Sequence, residues 1–177
     1  QKVIKLLIKA NILLLILFIG IAFQATPDEA NDSILNVAKT YIRKSQPDAA
    51  IPLLLNILEQ TDREETIIKA NINLAEAYRQ KDENKKGIDL IRFTIKRYNL
   101  TNTDLAFAYN RLAALYNEWD NRQIQGKDSA IYYSQLCIKL AEEIGDTNLV
   151  ATSQNEIAYT YRIKNDFPRA LEYAQKA

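Results

Sequence analysis

The chain has 177 residues, with 23 Lys and Arg against 22 Asp and Glu, no histidine and a single cysteine. Interspersed charges of near balance leave no basic stripe for nucleic acid, and the missing histidine removes histidine acid–base catalysis, a Ser-His-Asp triad and the usual zinc sites. Cys137 has no partner for an internal disulfide, and the four glycines form no phosphate-binding loop. No enzymatic constellation remains, so neither cofactor nor metal is expected.

Residues 1–25 differ from the rest. Lys2, Lys5 and Lys9 precede the apolar run Ile12 to Phe23, and no acid occurs before Asp28. A basic start, about 12 apolar residues and the small-x-small Gly20-Ile-Ala22 predict a secretory signal peptide, with an uncleaved signal anchor as the alternative. No cysteine lies just after the run, so the lipobox of a lipoprotein signal is missing. The expected location is exported, on the periplasmic or extracellular side, with membrane contact only through this segment or a further span downstream. Thr26-Pro27-Asp28-Glu29 then has the pattern of a capping box with proline at the first helical position.

From there one pattern recurs: a small residue, a branched aliphatic four later, alanine next, tyrosine three further on. The copies are Ser33/Val37/Ala38/Tyr41, Ala70/Leu74/Ala75/Tyr78, Ala108/Leu112/Ala113/Tyr116 and Ser153/Ile157/Ala158/Tyr161. Offsets of 4, 5 and 8 hold these positions on one face of a helix. A second apolar segment follows each copy, opening at Ala50, Gly87, Ala130 and Ala170. The unit is therefore a helical hairpin of a first and a second helix. Ser45 to Asp48, Asp82 to Asn84 and Asn165 to Pro168 are expected to divide the pairs as N-caps. In the third pair Gly126-Lys-Asp-Ser129 is expected to start the second helix after a lengthened first helix and a polar loop, and Gly145 to end it. Cys137 falls at a packing position and reads as a buried structural thiol; Trp119 reads as a packing plug under the loop.

A period of roughly 20–50 residues marks a solenoid of stacked supersecondary units. These residues resemble the tetratricopeptide repeat family, whose repeat is about 34 residues long. The aliphatic, Ala and Tyr positions match in all four copies, and the alanine opening the second helix matches in three, with Gly87 in the second. The early tryptophan position of the family is instead Ile34, Asn71, Tyr109 and Gln154. The resemblance covers about residues 28 to 177. It implies an all-α, right-handed superhelical array of antiparallel pairs over residues 26–177, with repeats at about 27–62, 63–100, 101–145 and 146–177. The chain stops inside its last second helix without a terminating signal, so the natural protein is expected to continue.

The family's first helices line a concave groove. By position, the resemblance implies a groove of Lys69, Glu76 and Arg79, then Phe107, Asn110 and Asn117, then Asn155, Tyr159 and Arg162. Amides, aromatics and charges suit an extended or helical peptide. The expected function is a non-catalytic scaffold that binds a protein or peptide. The alternative is the sensory repeat region of a larger bacterial signalling protein, a histidine kinase or helix-turn-helix regulator, with its output domain beyond residue 177.

Overall fold

The computed structural model describes residues 27–119 and 124–177, and among these every regular element is a helix. In chain order they are α1 (Pro27–Arg43), α2 (Pro47–Gln60), α3 (Glu64–Gln80), α4 (Asn84–Arg97), α5 (Asn102–Glu118), α6 (Ile124–Ile144), α7 (Thr147–Ile163) and α8 (Phe167–Lys176). The expected signal segment, Thr26 of the expected capping box and residues 120–123 of the insert lie outside the described residues.

Each first helix (α1, α3, α5, α7) is 17 residues long, and all end in closely similar ways except α5. Ser45, Asp82 and Asn165 adopt left-handed φ of 54, 60 and 58°. The following amides of Gln46, Glu83 and Asp166 each donate, at 2.9 Å, to the carbonyl of Tyr41, Tyr78 or Tyr161. This 6→1 closure with a left-handed residue stops a helix while satisfying its last carbonyls. Ser45, Asp82 and Asn165 are thus helix stops, not the N-caps that their side chains suggested; short polar residues visit the left-handed region at the lowest penalty after glycine. Side-chain caps stand at three other residues, one of them (Asp166) inside the expected segment Asn165 to Pro168. Thr101 accepts from the Asp104 amide at 3.1 Å, Asp146 from Leu149 at 2.9 Å and Asp166 from Arg169 at 3.2 Å. Gly145, at φ 74°, ends α6 as expected.

The third pair departs from expectation. Its first helix is no longer than the others; the second helix, at 21 residues, is the extended one. Gly126 lies inside α6, where an added Cβ would stand 3.3 Å from the Tyr116 carbonyl oxygen. The glycine therefore permits close crossing over the end of α5. Beside it Lys127, buried, donates to the Asn117 carbonyl and so satisfies a C-terminal acceptor of α5. Gly87 has a related role, since a Cβ there would lie 2.7 Å from Leu115 and 3.1 Å from the Ala75 oxygen.

Consecutive helices pack on one another throughout. First helices also touch the next first helix (α1 on α3, α3 on α5, α5 on α7), whereas among the described residues second helices touch only first helices. The core follows as a chain of clusters. Leu35, Leu54, Ile57 and Leu74 join α1, α2 and α3; Ile88, Ile91, Leu112 and Leu115 join α4 to its flanking helices; Ala106, Cys137, Ala141 and Leu149 join α5, α6 and α7. The motif residues occupy these contacts. Ala38, Ala75, Ala113 and Ala158 are all buried, as are Tyr116 and Tyr161, while Tyr41 and Tyr78 are half-buried. Tyr116 stacks nearly parallel on Tyr133 of α6, with centroids 5.7 Å apart.

Candidate functional site

Side chains of adjacent first helices meet along the row that these helices form, and in this chain they do two different jobs. One set closes the seams between first helices. On α3, buried Glu76 receives two hydrogen bonds from Arg79, at 2.9 and 2.7 Å. Arg111 of α5 lies 3.5 Å from the same carboxylate, and Arg79 also pairs with Glu118 of α5. Burial pushes the Glu76 carboxyl up, but the Arg79 hydrogen bond and the charges of Arg111 and Arg79 outweigh it and hold the group below its ordinary range. The bond to Glu76 in turn holds the Arg79 guanidinium above its ordinary value.

The next seam is built from amides. Asn110 Nδ2 of α5 donates to Ser153 Oγ of α7 at 3.3 Å. Asn117, 1% exposed, donates through Nδ2 to a Glu156 carboxylate oxygen at 2.7 Å and accepts at Oδ1 from the Thr160 hydroxyl at 2.6 Å. Burial pushes the Glu156 carboxyl up, with Asn117 opposing. Between α1 and α3 the link is Gln80, whose amide donates to the Ile42 carbonyl at 2.9 Å. Glu76, Asn110 and Asn117, expected to face a partner, are therefore buried in seams, and Arg79 is half-buried among them.

The second set lines a groove. A hollow of about 560 Å³ is bounded by α1, α3 and α5, with Asn36, Lys39 and Arg43 contributed by α1, Lys69 and Asn73 by α3, and Phe107 and Arg111 by α5. Of the nine residues expected in the groove, Lys69 and Phe107 are in its lining. Phe107 is 37% exposed beside the apolar surface of Ile42 and Ile72. Asp104 is the single acid of the lining, against four cations. Lys69 is shared with Glu65 at 2.5 Å and Arg111 with Glu76, but Arg43 only donates to the Thr40 hydroxyl at 3.1 Å. Among the described residues no acid pairs with Lys39. Three of the missed residues had a common signal in the sequence. Asn36, Asn73 and Arg111 each stand three places after the small residue of the motif.

The remaining expected residues, Asn155, Tyr159 and Arg162, are exposed on α7, with the Arg162 guanidinium 5.1 Å over the Tyr159 ring. They occupy the seam position of α7, beyond which the described residues supply no further first helix. Cys137 is buried, and burial pushes its thiol up, which suits an unreactive packing role. Trp119 packs near Tyr116 at 6.1 Å and is 39% exposed; most of the loop it was expected to plug lies outside the described residues. Among the described residues no group of three His, Cys, Asp or Glu could hold a metal, and no helix is long and apolar enough to cross a membrane.

Neither the protein-family models nor the curated proteins contain a match to this chain.

Proposed function

We propose that this chain is a non-catalytic scaffold of tetratricopeptide type, a right-handed superhelical array whose groove binds an extended segment of a partner protein. The contact pattern supports the architecture, since only first helices touch their like and second helices lie outside that row. One observation carries the function: three successive first helices open a hollow of about 560 Å³ whose cations outnumber its acid. A segment rich in Asp and Glu with one aromatic or aliphatic anchor fits it. Carboxylates meet Lys39 and Arg43, the anchor lies on Phe107 and Ile72, and Asn36 and Asn73 bond main-chain groups. Residues 1–25 would carry the scaffold out of the cytoplasm.

The test is fluorescence anisotropy with a labelled Asp/Glu-rich peptide carrying one Phe, against its Asn/Gln counterpart. The acidic peptide should bind, weaken with salt over a Debye length of about 10 Å at 0.1 M, and lose on the order of tenfold affinity in Lys39→Glu/Lys69→Glu. Lys96→Ala/Arg97→Ala, both on α4 and away from the hollow, should change little. Equal binding of the two peptides, or equal losses from the two double variants, would assign the interface to another face.

A further inference from the structure

A second hollow lies on the side of α5 turned away from the groove. Tyr109 follows the groove residue Phe107 by two positions, about 200° around the helix, and lines a space between the second helices α4 and α6. This hollow, of about 470 Å³, is bounded by Arg92, Phe93 and Lys96 of α4, Tyr109 of α5, and Tyr132 and Tyr133 of α6. It belongs to the middle of the array, where α4, α5 and α6 each pack on described helices both before and after them. Its walls are aromatic. Tyr133 meets Tyr109 with ring centroids 5.8 Å apart and Tyr132 edge-on at 5.2 Å. Phe93 and Tyr132 are 54% and 57% exposed. A single exposed ring is ordinary on a protein surface, but these two border one concavity from neighbouring second helices.

The polar groups of the hollow have no other task. Arg92 and Lys96, four residues apart, share one face of α4 and both line it. The other cations of α4 are engaged: Lys85 pairs with Asp89 at 2.9 Å, Lys86 with Glu83 at 2.6 Å, and Arg97 lies 5.7 Å over the Tyr98 ring. Among the described residues no acid pairs with Arg92 or Lys96, and the lining holds neither Asp nor Glu. Burial pushes the Tyr109 and Tyr133 phenols up, so both stay protonated at neutral pH and keep an O–H to donate.

We infer that the hollow between α4, α5 and α6 binds a small aromatic carboxylate. The ligand's ring lies against Phe93, Tyr132 and Tyr133, where edge and face contacts are both on offer. Its carboxylate takes charge-assisted hydrogen bonds from Arg92 and Lys96. Aromatic walls with a few convergent polar groups are the usual make-up of a small-molecule pocket, and the volume suits a ligand of one or two rings. Other occupants fit less well. An inorganic anion would use the two cations and leave the rings bare. A quaternary ammonium would suit the rings, but Arg92 and Lys96 repel it. The inference does not rest on the groove reading, since the two hollows use different faces of α5 and share no residue.

The test is titration calorimetry of the whole 177-residue chain in mild detergent, with 2-naphthoate and its neutral counterpart 2-naphthamide as probes and the same detergent in the reference runs. 2-Naphthoate should bind once per chain with a dissociation constant below about 1 mM, as its size allows, and 2-naphthamide about tenfold more weakly. Arg92→Gln/Lys96→Gln should cost 2-naphthoate on the order of tenfold and 2-naphthamide little. Phe93→Ala and Tyr132→Ala should each weaken both probes several-fold. All four positions are exposed, so circular dichroism should be unchanged. Lys39→Glu/Lys69→Glu, in the groove, should leave both probes unaffected. The inference is overturned if wild type fails to bind 2-naphthoate in this range or binds the two probes equally. It is overturned also if the loss follows the Lys39/Lys69 variant and not the Arg92/Lys96 one. Peptide binding in the groove is read by its own assay and stands or falls apart from these results.

Discussion

Replacing Asn117 by alanine distinguishes a seam residue from a ligand-binding one. The side chain is buried, donates to the Glu156 carboxylate at 2.7 Å and accepts from Thr160 at 2.6 Å. Losing a hydrogen bond to a charged group removes about 1.5–3 kcal/mol, and a neutral one about 1 kcal/mol. The Thr160 hydroxyl can turn to the Glu156 carbonyl, 2.7 Å away, so its loss is partly recovered. The expected penalty is about 3 kcal/mol, a large share of the roughly 5–15 kcal/mol that holds a domain together. Urea unfolding followed by circular dichroism reads it directly.

The penalty should also depend on pH. Burial already raises the Glu156 carboxyl, and Asn117 opposes that rise; without Asn117 the folded-state value climbs further. A raised carboxyl takes up its proton more readily in the folded state, so the variant regains stability as pH falls through its folded value. The full penalty therefore applies above both folded values and shrinks as pH falls toward the ordinary glutamate range, about 4.3. In a Glu156→Gln background the same truncation should remove only a neutral bond, about 1 kcal/mol. A penalty that is flat with pH and equal in both backgrounds would mean that Asn117 acts by packing alone, and the hydrogen-bond argument would fail.

Glu76→Gln leaves Arg79 and Arg111 short of their shared anion and should destabilise by about 3 kcal/mol at neutral pH, with urea midpoints as the measurement. Because the folded Glu76 carboxyl is held below its ordinary range, this difference is complete above the unfolded value and is lost as pH falls through the folded one. Tyr116→Asp places an unpaired charge against Tyr133 in the core and should cost about 3–5 kcal/mol, seen as loss of cooperative thermal unfolding; Tyr78→Asp, at a half-buried ring, should cost less.

Helical class and pairing were legible because the fourfold motif imposes one face on each first helix, and that face is what the fold buries. The turn chemistry was less legible. Ser45, Asp82 and Asn165 have the side chains of N-caps, and only the backbone shows that each one is left-handed and closes the preceding helix. Gly126 misled in a related way, since glycine suits both the break that opens a helix and a close crossing inside one, and the neighbour that decides between them, the Tyr116 carbonyl, is ten residues away. The groove was half legible. Helical spacing places Glu76, Asn110 and Asn117 on the row of first helices, but a neighbouring first helix covers that side, and nothing local to one helix reveals where its neighbour lies. Lys69 and Phe107 came out in the lining because they stand one place before the small residue, on the uncovered side.

The seams differ in chemistry although the helices repeat, and that difference bears on the groove. Gln80 to a main-chain carbonyl joins α1 to α3, a carboxylate between two arginines joins α3 to α5, and amides around Glu156 join α5 to α7. An apolar seam tolerates sliding, since methyl groups are content against any methyl group. A buried carboxylate or amide is satisfied in one register only, and a slip of one residue would leave it unpaired at about 1–3 kcal/mol or more. Registry between first helices sets how far apart Lys39, Lys69 and Phe107 stand, so the α1–α3 and α3–α5 seams fix the width of the hollow that those residues line. Substitutions in the seams should therefore alter affinity for any groove ligand through shape as well as stability, whereas substitutions of lining residues outside the seams, such as Lys39 and Phe107, alter affinity alone; Arg111 belongs to both sets. That asymmetry follows from placing the buried polar groups between the helices and the exposed ones over the hollow.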